Sequence, residues 1–179
     1  RGAKEAGKQF ITVFEAESHR PGYFDFDKAR ARYEGTEFEF VLSIEAIPYQ
    51  REAAETEEML GAILAKAQGA EASQAAGSPL NDPGSWDFFL SHGQAMAGDQ
   101  VKTLCLLLRQ RKKPDGSHYT VWYDNEMGDR STAAMEEGVR RSDNFLLFLS
   151  GDPDMWDGGG KGKEGSWRLF SQLCRCGEA

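Results

Sequence analysis

Cysteine is scarce in this 179-residue chain. The three present, Cys105, Cys174 and Cys176, are an odd number, which excludes a disulfide framework and points to a reducing, cytoplasmic compartment. Positive charge is short as well: 21 Lys and Arg against 29 Asp and Glu give a formal net charge of −8. Such a surface argues against nucleic acid or anionic membrane as the main partner. Long apolar runs are missing, so no segment is expected to insert into a bilayer, and the N-terminus lacks the apolar stretch of a signal peptide. The chain opens at Arg1 rather than Met, which suggests a fragment or a processed chain. His19, His92 and His118 lie in unrelated segments, so no metal site is expected. Cys174 and Cys176 have the wrong spacing for a C-x-x-C redox pair or a zinc knuckle. What is present, 40% hydrophobic and 28% charged residues, excludes a wholly disordered chain and suffices for one cored domain, with or without an arm.

Three stretches differ in character. Residues 1–68 are acidic and read as a small α+β arm. Phe10–Phe14 is β-branched and aromatic, and Phe38, Phe40, Leu42 and Ile44 alternate, so both runs predict strands, the second ended by Pro48. Met59, Leu60, Ile63, Leu64 and Ala67 form a helical stripe within 51–68, with glutamates toward its start and Lys66 near its end. No chemistry is evident in this arm. Residues 69–85 are rich in Gly, Ser and Pro and read as a flexible linker.

From Trp86 the period switches repeatedly. Trp86–Ser91 is a short apolar run, and Val101, Leu104, Cys105 and Leu108 recur at helical spacing before Arg109, Arg111, Lys112 and Lys113. Tyr119–Asp124 predicts a strand, and Ser131 or Thr132 caps a helix to about Arg141, with Met135 and Val139 facing inward. Asn144–Ser150 is continuously apolar up to its serine, the mark of a strand buried on both faces. Strand, helix, strand, helix, strand predicts a βαβαβ unit with a parallel sheet and right-handed crossovers. The tail from 151 supplies no further strands, so the sheet is expected to be incomplete.

In open parallel sheets ligands bind beyond the carboxyl ends of the strands. That rule selects Ser91, His92, Gly93, Trp122, Asp124 and Ser150 as lining a pocket. Ser91, His92 and Asp124 have the residue types of a hydrolytic triad, but adjacent strand residues face opposite ways and no G-x-S-x-G elbow surrounds the serine. The Gly158–Lys163 run misses a phosphate loop, with Asp157 and Glu164 where Gly and Ser/Thr are needed. A receiver-type phosphoacceptor at Asp124 would need an acidic pair where Ser91 and His92 stand.

Three segments in order carry a family likeness. Trp86-Asp87-Phe88-Phe89-Leu90-Ser91-His92 resembles the first box of Toll/interleukin-1 receptor (TIR) domains. Val121–Asp124 followed by Asn125-Glu126-Met127-Gly128-Asp129 resembles that family's second strand and BB loop, and Ala134–Asp143 with Phe145–Ser150 its next helix and third strand. The resemblance covers about residues 86–150, so 86–179 is taken as a TIR-like domain with a divergent tail. It implies a flavodoxin-like α/β fold of five parallel strands and action by association with TIR domains, its own or other proteins', through a loop spanning Asp124–Arg130. It implies as an alternative the cleavage of the nicotinamide–ribose bond of NAD⁺, with NAD⁺ as substrate. The family's catalytic glutamate lies in a Trp-Cys-x-x-Glu-like motif after the third strand. Read from Trp167, Arg168 replaces the Cys and Ser171 stands at the Glu position, while Glu164, the candidate carboxylate, and Glu178 are out of register. An oxocarbenium-like transition state needs a carboxylate, so association ranks first. In the loop, Met127 has no evident core partner, and Gly128 is expected to use positive φ. The loop's acidic residues are matched by the basic patch at Arg109, Arg111, Lys112 and Lys113 for a head-to-tail contact.

Overall fold

A computed structural model describes residues 3–4, 6–36, 39–68 and 77–153. Strand β1 (Gln9–Phe14) is followed by helices α1 (Phe26–Tyr33) and α2 (Glu39–Ser43), strand β2 (Ile47–Pro48) and helix α3 (Ala53–Ala67). After the connection come β3 (Trp86–His92), α4 (Gln94–Gln110), β4 (Val121–Trp122), α5 (Thr132–Arg141) and β5 (Ser142–Leu149). Asp25 caps α1 by accepting from the Lys28 amide, and Ser131 caps α5 by accepting from that of Ala134. Each side-chain oxygen thereby satisfies a donor that the first helical turn leaves open.

All five strands are parallel and form one sheet in the order β2-β1-β5-β3-β4. Counted from β3 as the first strand, then β4, β5, β1 and β2, the spatial order is 2-1-3-4-5. That is a doubly wound, flavodoxin-like order, which the chain enters at its fourth strand. The sheet therefore runs across the division expected at residue 86. β1 pairs with β5 in six consecutive positions, from Gln9 opposite Asn144 to Phe14 opposite Leu149. The sheet expected to be incomplete has five strands, because the first 68 residues supply two of them.

Alternation sorts the side chains onto two layers. Ile11, Val13, Phe88, Leu90, Leu146 and Phe148 pack under α3 and α4, with Ile63, Val101, Leu104 and Leu108. Phe89, Trp122, Phe145, Leu147 and Leu149 pack on the opposite face with Phe24, Tyr33, Val41 and Val139. Full burial of one such side chain contributes roughly 1.5–3 kcal/mol, so the β1–β5 seam is a strongly held joint. The outer strands, β2 and β4, are two residues long, which leaves little open ladder for stray pairing.

Two local expectations are corrected. Residues 39–43 of the alternating 38–44 run are helical, and Phe38 lies outside the described residues. Gly35 N–H donates to the Glu39 carboxylate, the Glu39 amide bonds Thr36 O at 3.2 Å, and Phe40 meets Phe10 edge-on at 5.2 Å. These start contacts and the packing outweigh an alternation that favours a strand only on a pleated surface. Pro48 does not end a preceding strand but lies within β2, on the sheet's edge, where a missing donor costs nothing. Of the expected linker, residues 69–76 lie outside the described residues, while 77–84 are tied down through Asn81 to Asp129, the Leu80 amide to Glu137 and two backbone carbonyls to Arg141.

Candidate functional site

The carboxyl ends of all five strands face the same way, since all are parallel. Ser91 and His92 end β3, Ser150 and Gly151 follow β5, Tyr123 and Asp124 follow β4, Glu15 follows β1, and Tyr49 to Arg51 follow β2. The edge thus gathers residues from both halves of the chain. The crevice where the strand order reverses lies between β3 and β5, covered by the start of α4. There Gly151, at φ 77°, donates its amide to Gly22 O at 2.9 Å.

Glu15 is completely buried. Arg51 binds it through both Nη1 and Nη2, and Nη1 also donates to Glu17 Oε1 at 2.6 Å. The guanidinium lies over the Tyr49 ring at 4.9 Å, and Gln100 Nε2 reaches Glu15 Oε2 at 3.4 Å. Burial alone would push the Glu15 carboxyl up, but the Arg51 and backbone hydrogen bonds outweigh it and hold it below the usual carboxylate range. A carboxylate so fully engaged is a structural anion rather than a free nucleophile. Beside it Arg51 lines an open groove of about 650 Å³ with Arg20, Tyr49, Gln50, Asp99 and Thr103.

His92 stands on the α4 side of β3, its ring 5.7 Å from that of Tyr123. Burial lowers its pKa, opposed by the charge of Asp124, so the imidazole is neutral at neutral pH. Its Nε2 is buried and has no partner among the described residues. Ser91 points to the other face by alternation, so Ser91 and His92 do not share a proton. Trp122 belongs to the core: it stacks on Phe89 at 4.5 Å and lies beneath Gly138. Gly93 is the N-cap of α4, and Ser150 is buried. Glu164, Trp167, Arg168, Ser171 and Glu178 lie outside the described residues. Among the described residues no three His, Cys, Asp or Glu side chains are grouped to hold a metal ion. No helix among them is long and apolar enough to cross a membrane.

The loop after β4 is ordered by its own hydrogen bonds. Asp124–Glu126 forms a 3₁₀ turn, Asn125 Nδ2 donates to Tyr123 Oη at 2.8 Å, and Arg130 donates to Met127 O and Asn125 O at 3.2 and 2.9 Å. Asp129 accepts from the Ser131 amide at 2.8 Å, which with the Ser131 hydroxyl holds its carboxyl below its ordinary value. Three expectations about this loop are corrected. Met127 is buried in the core beneath α5. Gly128 does not use positive φ. The basic patch is engaged within the molecule: Arg109 pairs with Glu126 of the loop itself, Arg111 with Glu57 at 2.6 Å and Lys113 with Asp87 at 3.0 Å. Lys112 alone of that group is exposed.

Glu15, Arg51 and Gln100 escaped the sequence reading. The rule that selected Ser150, a polar residue directly after an apolar strand, also selects Glu15 once β1 is placed in the same sheet. Asn81, within a Gly- and Pro-rich stretch, carries no such signal. Comparison with family models, with curated proteins and with solved structures finds no match.

Proposed function

We propose that this chain is a TIR-type signalling module that acts by associating with TIR domains, its own copies included, through the loop Asp124–Arg130. The observation that carries the reading is the ordering of that loop: an exposed segment at the end of an edge strand, its Met127 and Asn125 carbonyls bonded by Arg130, its Asp129 amide by Asn81, and its Asn125 and Asp129 side chains by Tyr123 and Ser131. A surface already held in one conformation loses little entropy on contact. The flavodoxin-like strand order and the three TIR-like segments, which fall on β3, on β4 with its loop, and on α5 with β5, support the same reading.

The test is sedimentation velocity of the full chain and of Glu126→Arg, at low and high salt. Glu126 is exposed, so the substitution is expected to leave the fold intact and to weaken self-association, which also falls as salt rises. An identical mass distribution for both proteins at both salts overturns the reading.

NAD⁺ cleavage is the second reading, favoured by His92, whose unpartnered Nε2 stands beside the crevice at the strand ends. Against it, the buried carboxylate that follows β1, Glu15, is engaged by Arg51, and the resemblance's expected glutamate position holds Ser171. Nicotinamide release at blank level is therefore the expected result, and release above the blank that His92→Ala abolishes would place this reading first.

A further inference from the structure

The connections that leave β3 and β5 part toward opposite faces of the sheet. Helix α4, after β3, packs on the face of Ile11 and Val13. Residues 151–153, after β5, run to α1 on the other face, where Tyr33 Oη donates to Pro153 O at 2.9 Å. Such a parting makes the crevice in which doubly wound sheets take their ligands. In this chain a piece of its own backbone occupies it. On the β5 side, Gly22 O accepts the Gly151 amide at 2.9 Å. On the α4 side, a Cβ added to Gly22 would lie 3.0 Å from Met96 O. The Met96 side chain in turn packs on Gly151, where an added Cβ would lie 3.2 Å from Met96 Cγ. Gly22 therefore touches both walls.

The loop 16–23 carries Gly22 there. Glu15 N donates to Leu149 O at 3.1 Å, and Phe24 N donates back to Glu15 O at 3.0 Å, so the loop leaves and rejoins the sheet at one point. Gly22 is buried, whereas Ala16, Ser18, His19, Arg20, Pro21 and Tyr23 are exposed. A segment with a closed neck and no side chain in the core can open without unfolding the sheet. What fastens it is Glu17, whose carboxylate accepts from Arg51 Nη1 at 2.6 Å and from Arg20 Nε at 3.0 Å. The Arg51 and Glu17 side chains are 25% and 34% exposed, so water competes for this contact. Glu15 beneath is completely buried and keeps its own bonds to Arg51.

We infer that residues 16–23 are a flap closed over the crevice between the β3 and β5 strand ends, with Gly22 as its plug and the Glu17–Arg51 contact as its latch. The chain thereby occludes its own ligand crevice, and Gly22 O holds the place of a ligand's acceptor oxygen on the Gly151 amide. Opening the flap frees that donor and uncovers Met96 on the first turn of α4. The flap follows β1, apart from the loop after β4, and its latch works whether or not that loop associates.

Native-state hydrogen exchange and peroxide footprinting of methionine test this on the full chain and its variants Glu17→Ala and Gly22→Ala. Glu17→Ala removes the latch without stranding Glu15, and Gly22→Ala drives a methyl group against Met96 O. In the parent, the Gly151 amide is expected to exchange about a hundredfold or more faster than the amides at 146–148. Its rate is also expected not to change in low urea, the mark of an opening that exposes little surface. Both variants are expected to speed Gly151 exchange by about tenfold and to speed sulfoxide formation at Met96. Exchange at 146–148 and oxidation of the buried Met59 should stay as in the parent. Exchange of Gly151 in step with 146–148 overturns the flap, whether in the parent or in both variants. Unchanged Gly151 exchange in Glu17→Ala overturns the latch. Faster Gly151 exchange with Met96 oxidation unchanged overturns the closure, because the loop then moves without uncovering the crevice.

Discussion

Residues 3–68 and 77–153 contribute to one sheet in different ways. The later part brings three strands, and β5 is apolar from Phe145 to Leu149 with every one of those side chains buried. The earlier part brings one full strand, a two-residue edge strand, and a completely buried carboxylate, Glu15, held by Arg51. One part reads as a domain from its pattern alone, whereas the other shows its purpose only beside its partner. The difference teaches that an arm without visible chemistry can still complete a core: β1 covers the edge of β5 that would otherwise be open.

The strongest way to break this comparison is to delete residues 1–68. Without β1 the apolar edge of β5 and the faces under α1 and α3 meet water, so the remaining chain is expected to show no cooperative thermal transition and to aggregate. A monomeric, cooperative melt of that shortened chain would mean that the later part stands alone.

Arg51→Ala acts within the earlier part only. It strands the buried Glu15 charge, and breaking such a pair costs about 3–5 kcal/mol. In the parent, Glu15 lies below its unfolded value, so its pairing stabilises fully above the unfolded carboxylate range and is lost as pH falls through the lower folded value. In the variant, burial without Arg51 favours the protonated acid. The gap in melting temperature between parent and variant is therefore widest at neutral pH and narrows on acidification. A gap independent of pH would show that the loss is one of packing rather than charge.

Gly138→Ala probes the later part. The added Cβ would lie 2.6 Å from Trp122 Nε1, an overpacking worth about 1–3 kcal/mol, measurable by urea denaturation. Smallest of all is Lys28→Ala, which removes an exposed pair with Asp152 at 2.7 Å across the two parts. Exposed pairs of this kind contribute about 0–1 kcal/mol, so a shift in urea midpoint near the error of measurement is expected.

The two parts also differed in how far they could be read. The strands near Phe10–Phe14 and 144–150, the helix within 51–68 and the Ser131 cap were legible, because period and capping chemistry are local. Helix α2 was not: Phe40 and Leu42 alternate as in a strand, and only the contacts of Glu39 with Gly35 and Thr36 and the packing on Phe10 turn the run helical. The sheet order was hidden as well, since nothing local to Gln9–Phe14 says that its neighbour, 144–149, is 135 residues further along. The site followed suit. Ser91, His92, Asp124 and Ser150 are recognisable at strand ends from pattern alone, whereas Glu15 and Arg51 become so only once β1 and β2 join the same sheet. Met127 was placed at the surface because a loop sequence does not reveal what lies beneath it.

The central structural claim is that the chain forms one cooperative sheet across the 69–85 connection, and native-state hydrogen exchange tests it most directly. Amides at 11–13 in β1 and at 146–148 in β5 are expected to open with the same free energy, equal to that of global unfolding, because the two strands are bonded to each other. Exchange of the β1 amides faster by about a hundredfold or more, with β5 still protected, would show that the first 68 residues only lean on a sheet that folds without them.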